Sequence, residues 1–154
     1  MSLLNEFSLV QFTGSNYLLI ESLVDESMQE GYLFVQRTIE DWNNGANRFS
    51  DTAESLWGLV SGMELIGIGG LNRDPYVEDA DTGRVRHLYI SQAYRRKGCA
   101  TFLMNAIIER ARLHFRLLRL FTTNPDAAVF YEKLGFECTH GHKVSHVLTL
   151  GQQG

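Results

Sequence analysis

Residues 55–71 constrain the fold most. Two apolar runs, 55–60 and 65–71, are separated only by Ser61-Gly62-Met63-Glu64. Such a pair across so short a turn predicts a β-hairpin. Gly67, Gly69 and Gly70 fall inside the second run and open no helix, so Gly67-Ile68-Gly69-Gly70 reads as strand and turn glycines, not as a dinucleotide loop. After a polar, acidic loop at 74–83, residues 84–91 carry Val85, Leu88 and Ile90 in partial alternation, which predicts a further strand.

On both sides of this block the apolar period lengthens to three and four residues. Residues 8–13 read as a first strand. Tyr17, Ile20, Val24 and Met28 then share one helical face, with Ser15 or Asn16 placed to cap it and Gly31 to stop it. Tyr32, Val35, Ile39 and Trp42 form a second such face, closed by Asn43-Asn44-Gly45. Downstream, a short loop at 92–97 leads to a helix opening near Gly98, with Leu103, Ala106, Ile107, Ala111 and Phe115 on its apolar face. Residues 117–122 read as a strand. A helix begins at Asn124-Pro125, with proline near its first position, and stops at Gly135. Residues 136–139 and 143–150 read as closing strands. The order is strand, two helices, three strands, helix, strand, helix, two strands. It predicts an α/β (α+β) fold with a mixed sheet flanked by helices. The 154 residues suit a single domain, 1–154.

The formal net charge of -4 disfavours nucleic acid as a general partner. Cys99 and Cys138, the only cysteines, have no metal-ligand spacing, and the start of the chain has no basic n-region with an apolar core. These features predict a reduced, cytoplasmic setting. No apolar run approaches the length of a membrane span. His140, His142 and His146 flank a strand turn without a supporting carboxylate or cysteine pattern, so they read as surface histidines and no metal is expected. Exposed strand edges are compatible with a homodimer.

The sharpest chemical feature is Arg95-Arg96-Lys97-Gly98-Cys99-Ala100-Thr101, between a predicted strand and a predicted helix. A helix start leaves backbone N–H groups without partners, pointing at an anion. A glycine admits a phosphate close to the backbone, and three cations add attraction, so a diphosphate suits the site. It is not a P-loop, because the lysine precedes the glycine and no Gly-Lys-Ser/Thr follows. Cys99, at a helix start beside cations, is expected to have a lowered pKa, yet it reads as a bystander. The second feature is the helix Asn124–Phe136. Ala127, Phe130 and Leu134 can face the core, and Tyr131 carries a hydroxyl that stays protonated at neutral pH and can donate to a thiolate.

Together the two segments resemble the GNAT superfamily of N-acetyltransferases. Its pyrophosphate motif is Arg or Gln, two variable residues, Gly, one variable residue, then Gly or Ala, matched by Arg95, Gly98 and Ala100. Its later segment is matched by Asn124, Phe130, Tyr131, Gly135 and Phe136. The resemblance implies a GNAT-like acyl-CoA N-acyltransferase fold with a mostly antiparallel sheet, acetyl-CoA as co-substrate, and acetyl transfer to a primary amine by direct attack. It implies that the backbone at Leu88, Tyr89 and Ile90 pairs with the pantetheine arm. It also implies that amides within Arg96, Lys97, Gly98, Cys99, Ala100 and Thr101 bind the pyrophosphate, with Arg95, Arg96 and Lys97 adding charge. Asn124 and Phe130 would lie against the cofactor, and Tyr131 would be the general acid for the departing thiolate. Many members carry a glutamate base early in the strand before the loop. Arg84-Val85-Arg86-His87 has no carboxylate, Glu78, Asp79 and Asp81 read as a solvated loop, and His87 is left unassigned. That gap admits a non-catalytic acyl-CoA-binding module as the alternative, or a protein or aminoacyl-tRNA acceptor. Tyr32, Phe34, Trp42 and Trp57 can line an acceptor pocket but read more simply as core.

Overall fold

The computed structural model describes residues 7–151. Its strands are β1 (Phe7–Gln11), β2 (Ser55–Ser61), β3 (Glu64–Arg73), β4 (Thr82–Ile90), β5 (Leu117–Leu120), β6 (Glu137–Gly141) and β7 (Val144–Thr149). Its helices are α1 (Val24–Gln29), α2 (Phe34–Asn44), α3 (Cys99–Arg112) and α4 (Pro125–Lys133), with 3-10 turns at Tyr17–Leu23 and Gln92–Tyr94. The strands form one seven-stranded sheet in the order β1-β2-β3-β4-β5-β7-β6. Only β4 and β5 pair in parallel; the other neighbours are antiparallel. The element order predicted from the apolar periods is the order observed.

Two cores sit on opposite faces of the sheet. Leu103, Met104 and Ile107 of α3 and Tyr131 of α4 pack with Leu59, Ile66, Leu71 and Val85. Val35, Ile39 and Trp42 of α2, with Ile20 and Leu23, pack with Leu56, Ile68 and Tyr89. The strand glycines are set by close approach. A Cβ on Gly69 would lie 2.8 Å from Ile107 Cδ1, and one on Gly70 would lie 2.7 Å from Phe49, so these positions let α3 and the loop after α2 sit flat on β3.

Three expectations are corrected. The first helix does not run unbroken on the face Tyr17–Ile20–Val24–Met28. Its first part is a 3-10 turn, whose three-residue period lines up Ile20 with Leu23, and Met28 ends 48% exposed. Asn16 does not cap it with its side chain; its Oδ1 instead accepts the Thr13 N–H at 2.6 Å. His146 is not a surface residue. It is 3% exposed, with Nε2 2.9 Å from Glu132 Oε2 and Nδ1 2.9 Å from Ser145 Oγ, so it ties β7 to α4.

Candidate functional site

The site starts from a mismatch of strand lengths. β4 has nine residues and β5 four, and only Thr82, Gly83 and Arg84 pair with Leu117, Leu118 and Arg119. Beyond that rung the two strands part, and residues 85–90 of β4 border an open wedge. A bulge adds to the opening. Ile68 faces Tyr89 while Gly70 faces Arg86, so β4 holds one extra residue there, and His87 adopts a φ of 60°. The Ser91 N–H donates to Ile66 C=O at 2.8 Å. Strand alternation then commits the Tyr89 backbone to β3 and turns Leu88 and Ile90 toward the wedge. Of the three residues expected to offer backbone to a pantetheine arm, Leu88 and Ile90 face the opening. The Ile90 C=O is taken, accepting from Arg95 Nε at 2.8 Å.

The wedge leads to the turn before α3. Arg96 and Gly98 both take left-handed conformations, with φ of 62° and 82°. Gly98 is the N-cap and supplies no capping side chain. The N–H groups from Arg96 to Thr101 consequently have no hydrogen-bond partner among the described residues. A run of unpartnered amides at a 14-residue helix start has the donors to hold an anion. Arg96 and Lys97 are exposed beside it. Next to it a cleft of about 590 Å³ runs along α3, lined by Lys97, Gly98, Thr101, Phe102, Asn105, Ala106 and Glu109.

Two residues of this segment depart from expectation. Arg95 does not offer a free charge to the socket. Its guanidinium is held by Glu30, with Nη1 and Nη2 at 2.6 and 2.7 Å from the two carboxylate oxygens. Cys99 is 1% exposed, and burial pushes its thiol pKa up despite Lys97 nearby; only its backbone N–H faces the socket.

Glu26 and Glu30, one turn apart on and just after α1, fasten that element to the end of β4. The Tyr89 hydroxyl donates to both, at 3.0 and 2.5 Å. Glu26 also accepts from Ser91 Oγ at 2.9 Å and from the Gln92 N–H at 2.6 Å. Arg95 holds the Glu30 carboxyl down at about 2. Burial pushes the Glu26 carboxyl up, but the Gln92 amide and the Ser91 and Tyr89 hydroxyls outweigh it and leave it below its ordinary value. Burial and the two carboxylates raise the Tyr89 hydroxyl, which stays a donor. The i,i+4 spacing of Glu26 and Glu30 is visible in the sequence. Their partners lie 59 to 66 positions away, and nothing local announces them.

On the α4 side Asn124 is a true N-cap. Its Oδ1 accepts from the Asp126 and Ala127 N–H groups at 2.8 and 3.3 Å, and its Nδ2 donates across the wedge to the Tyr32 hydroxyl at 3.4 Å. Tyr131 is 7% exposed, its ring edge-on to Phe130 and Phe136. Burial raises its pKa. Its hydroxyl has no partner among the described residues, and no side-chain oxygen there is both sealed from solvent and unpaired. Tyr131 thus offers a protonated, unoccupied hydroxyl from a buried ring.

A model of the acetyltransferase (GNAT) family matches residues 17–136. The chain belongs to the GNAT family. Among solved structures, a candidate acetyltransferase from Exiguobacterium sp. 255-15 is 27% identical, with 93% of each chain covered and a TM-score of 0.80. GNAT-family acetyltransferases from Streptococcus pneumoniae and Staphylococcus aureus Mu50 share the fold at lower identity. The first is 18% identical over 95% of this chain and 100% of its own, with a TM-score of 0.72. The second is 13% identical over 92% and 96%, with a TM-score of 0.70. A search of curated protein sequences finds no significant match. Acyl transfer is the activity of this GNAT fold, and no helix among the described residues is long and apolar enough to cross a membrane.

At the β4 bulge stands His87. Its Nδ1 lies 2.7 Å from Thr38 Oγ1, which itself donates to Phe34 C=O at 2.7 Å. With that hydroxyl proton committed, Nδ1–H donates to Thr38 and Nε2 keeps a free lone pair. Burial, then Arg86 and Arg37, lowers the imidazole from 6.5 to about 4, so it is neutral at pH 7. Because the folded pKa is depressed, the unfolded chain binds the extra proton between pH 6.5 and 4. Stability therefore falls with pH across that window, by roughly 3 kcal/mol at its acid end. Equilibrium unfolding at several pH values should show this slope in the wild type and lose it in His87→Asn. An identical slope in both proteins would assign the acid sensitivity elsewhere.

Proposed function

We propose that the chain transfers an acetyl group from acetyl-CoA to a primary amine of a small molecule or peptide, by direct attack and without an acyl-enzyme. The observation that carries this reading is the run of unpartnered amides from Arg96 to Thr101 at the start of α3, supported by a Tyr131 hydroxyl that has no partner among the described residues. The residues present suit acetyl-CoA: unpartnered amides for the pyrophosphate, a strand edge open at Leu88 and at the Ile90 N–H for an extended amide arm, and a donor for the thiol end. When bound, acetyl-CoA supplies an activated thioester. The chain's residues do the rest. The amides from Arg96 to Thr101, with Arg96 and Lys97, hold the diphosphate. Arg95 and Asn124 fix the frame, Arg95 by clamping α1 to β4 and Asn124 by capping α4. Phe130 packs beside Tyr131; as the nitrogen–carbonyl bond forms and the carbon–sulfur bond breaks, Tyr131 gives its proton to the leaving sulfur, the nitrogen gives up a proton to solvent, and solvent reprotonates the Tyr131 oxygen.

The assay is direct. The protein is incubated with acetyl-CoA and a broad amine panel, and free thiol release is followed. Turnover with at least one amine is expected; bound cofactor without turnover on any amine or partner protein would instead favour a non-catalytic acyl-CoA-binding module. The observation favouring that second reading is that residues 84–87 carry no carboxylate and that Glu26 and Glu30 are fully engaged elsewhere.

A further inference from the structure

The last paired rung below the wedge is Arg84 opposite Arg119. Both side chains leave the sheet on the face away from α3, since Gly83 and Leu118 beside them take the α3 face. They are 8% and 10% exposed. One buried carboxylate serves both: Asp74 Oδ2 lies 2.8 Å from Arg119 Nη1 and 3.3 Å from Arg84 Nη1. Asp74 Oδ1 is taken by the Tyr76 N–H at 2.8 Å. Arg119 Nη2 also donates to His142 C=O at 2.8 Å. Asp74 is the only hydrogen-bond partner of the Arg84 guanidinium among the described residues, and the guanidinium also lies over the Tyr76 ring, 4.7 Å from its centroid. The other N–H groups of Arg84 are therefore unpartnered in a side chain more than nine-tenths buried, and none is sealed from solvent. Two residues on, Arg86 is partly buried on the same face, makes no ion pair among the described residues, and lies close enough to oppose the charge on Arg84. Two guanidiniums thus share one carboxylate, with the unpaired Arg86 on the same strand face between them and the His87 bulge.

Such an excess is costly in a chain of net charge -4 unless an anion completes it. A clamp for the 74–81 loop would need one arginine for one aspartate. Phosphate and carboxylate both match the planar, multi-donor fork that arginine presents. The position also separates this feature from the diphosphate socket, which lies at the other end of β4. We propose that Arg84, Arg86 and Arg119 form an acceptor subsite that binds an anionic group, a carboxylate or a phosphate, carried by the amine that is acylated. The word acceptor rests on the transferase reading above; the anion preference does not. The same cations disfavour a second positive charge beside them, so they drive a bound amine toward its free base, which is the nucleophilic form.

The test measures binding, by calorimetry in the presence of CoA, of two matched series. Amino acids from glycine to 6-aminohexanoate are compared with their carboxamides, and phosphoethanolamine with ethanolamine. At least one anionic member should bind at least about tenfold tighter than its neutral partner, as expected for one or two charge-assisted hydrogen bonds. The series that shows the preference identifies the group. Arg84→Gln and Arg86→Gln should each shrink the ratio toward one. Should Arg84→Gln fail to fold, Arg86→Gln carries the test alone, because the Arg86 side chain has no ion pair to lose among the described residues. No preference in either series, or a preference that survives substitution, overturns the subsite. If the preferred amine binds selectively yet releases no thiol from acetyl-CoA, the transferase reading fails and the anion subsite stands. Turnover that is equally efficient on charged and neutral amines does the reverse.

Discussion

Tyr131→Phe should lower the single-turnover rate of acetyl transfer by about 100-fold or more, the usual span for a lost general acid, while acetyl-CoA affinity stays within a few-fold. The reasoning is geometric. The ring is packed edge-on against Phe130 and Phe136, so phenylalanine keeps the packing. The hydroxyl has no protein partner among the described residues, so its removal breaks no hydrogen bond. Stability should therefore be unchanged or slightly higher, because a polar group leaves a buried ring without orphaning another. The split matters: a rate loss with intact thermal stability and intact cofactor binding is what a proton donor predicts and what a packing residue does not. If the single-turnover rate is unchanged, the leaving thiolate takes its proton from solvent.

Asp74→Ala should destabilise the protein by about 3–5 kcal/mol, because removing one member of a buried ion cluster leaves the others uncompensated. For a chain of this size that is a drop in Tm of roughly 6–20 °C. The Asp74 side chain is 0% exposed and sits between Arg84 and Arg119, and its second oxygen holds the turn at Tyr76. The double variant Asp74→Ala/Arg119→Met should lose less than the sum of the single losses, because the second change removes a charge the first exposed. The same substitution separates two roles of the cluster. If the arginines bind an anion, folded Asp74→Ala should gain affinity for it; if they only clamp the loop, it should not. A loss below about 1 kcal/mol would place Asp74 among solvent-screened pairs despite its burial.

The candidate site divides along the range of the interactions that build it. The strand–turn–helix that carries the candidate anion site was legible because it is local: a strand end, a basic turn and a glycine opening a helix all lie within a dozen residues. The α4 cap was legible for the same reason, since Asn124 and Pro125 act on their immediate neighbours. The pairing of the Arg95 guanidinium with Glu30 was not legible, because it is a contact across the sheet end that no local pattern encodes. His146 was misread likewise: its burial comes from α4 lying over β7, not from its own neighbours. The expected drop in the Cys99 pKa failed because burial, a tertiary quantity, outweighed the charge beside it.

The sequence by itself determined the elements and their order, because a period of two or of three to four is a property of adjacent residues. It also determined the glycine-opened start of α3 and the family. Only the tertiary structure decided where β4 and β5 part, since that depends on register between strands that meet only after α3 has crossed over. It alone decided that the bulge turns His87 onto Thr38. It alone brought Arg84 and Arg119 onto one rung with Asp74 between them. Charges distant in the chain become a site only when a sheet sets them side by side and burial removes the water that would otherwise screen them.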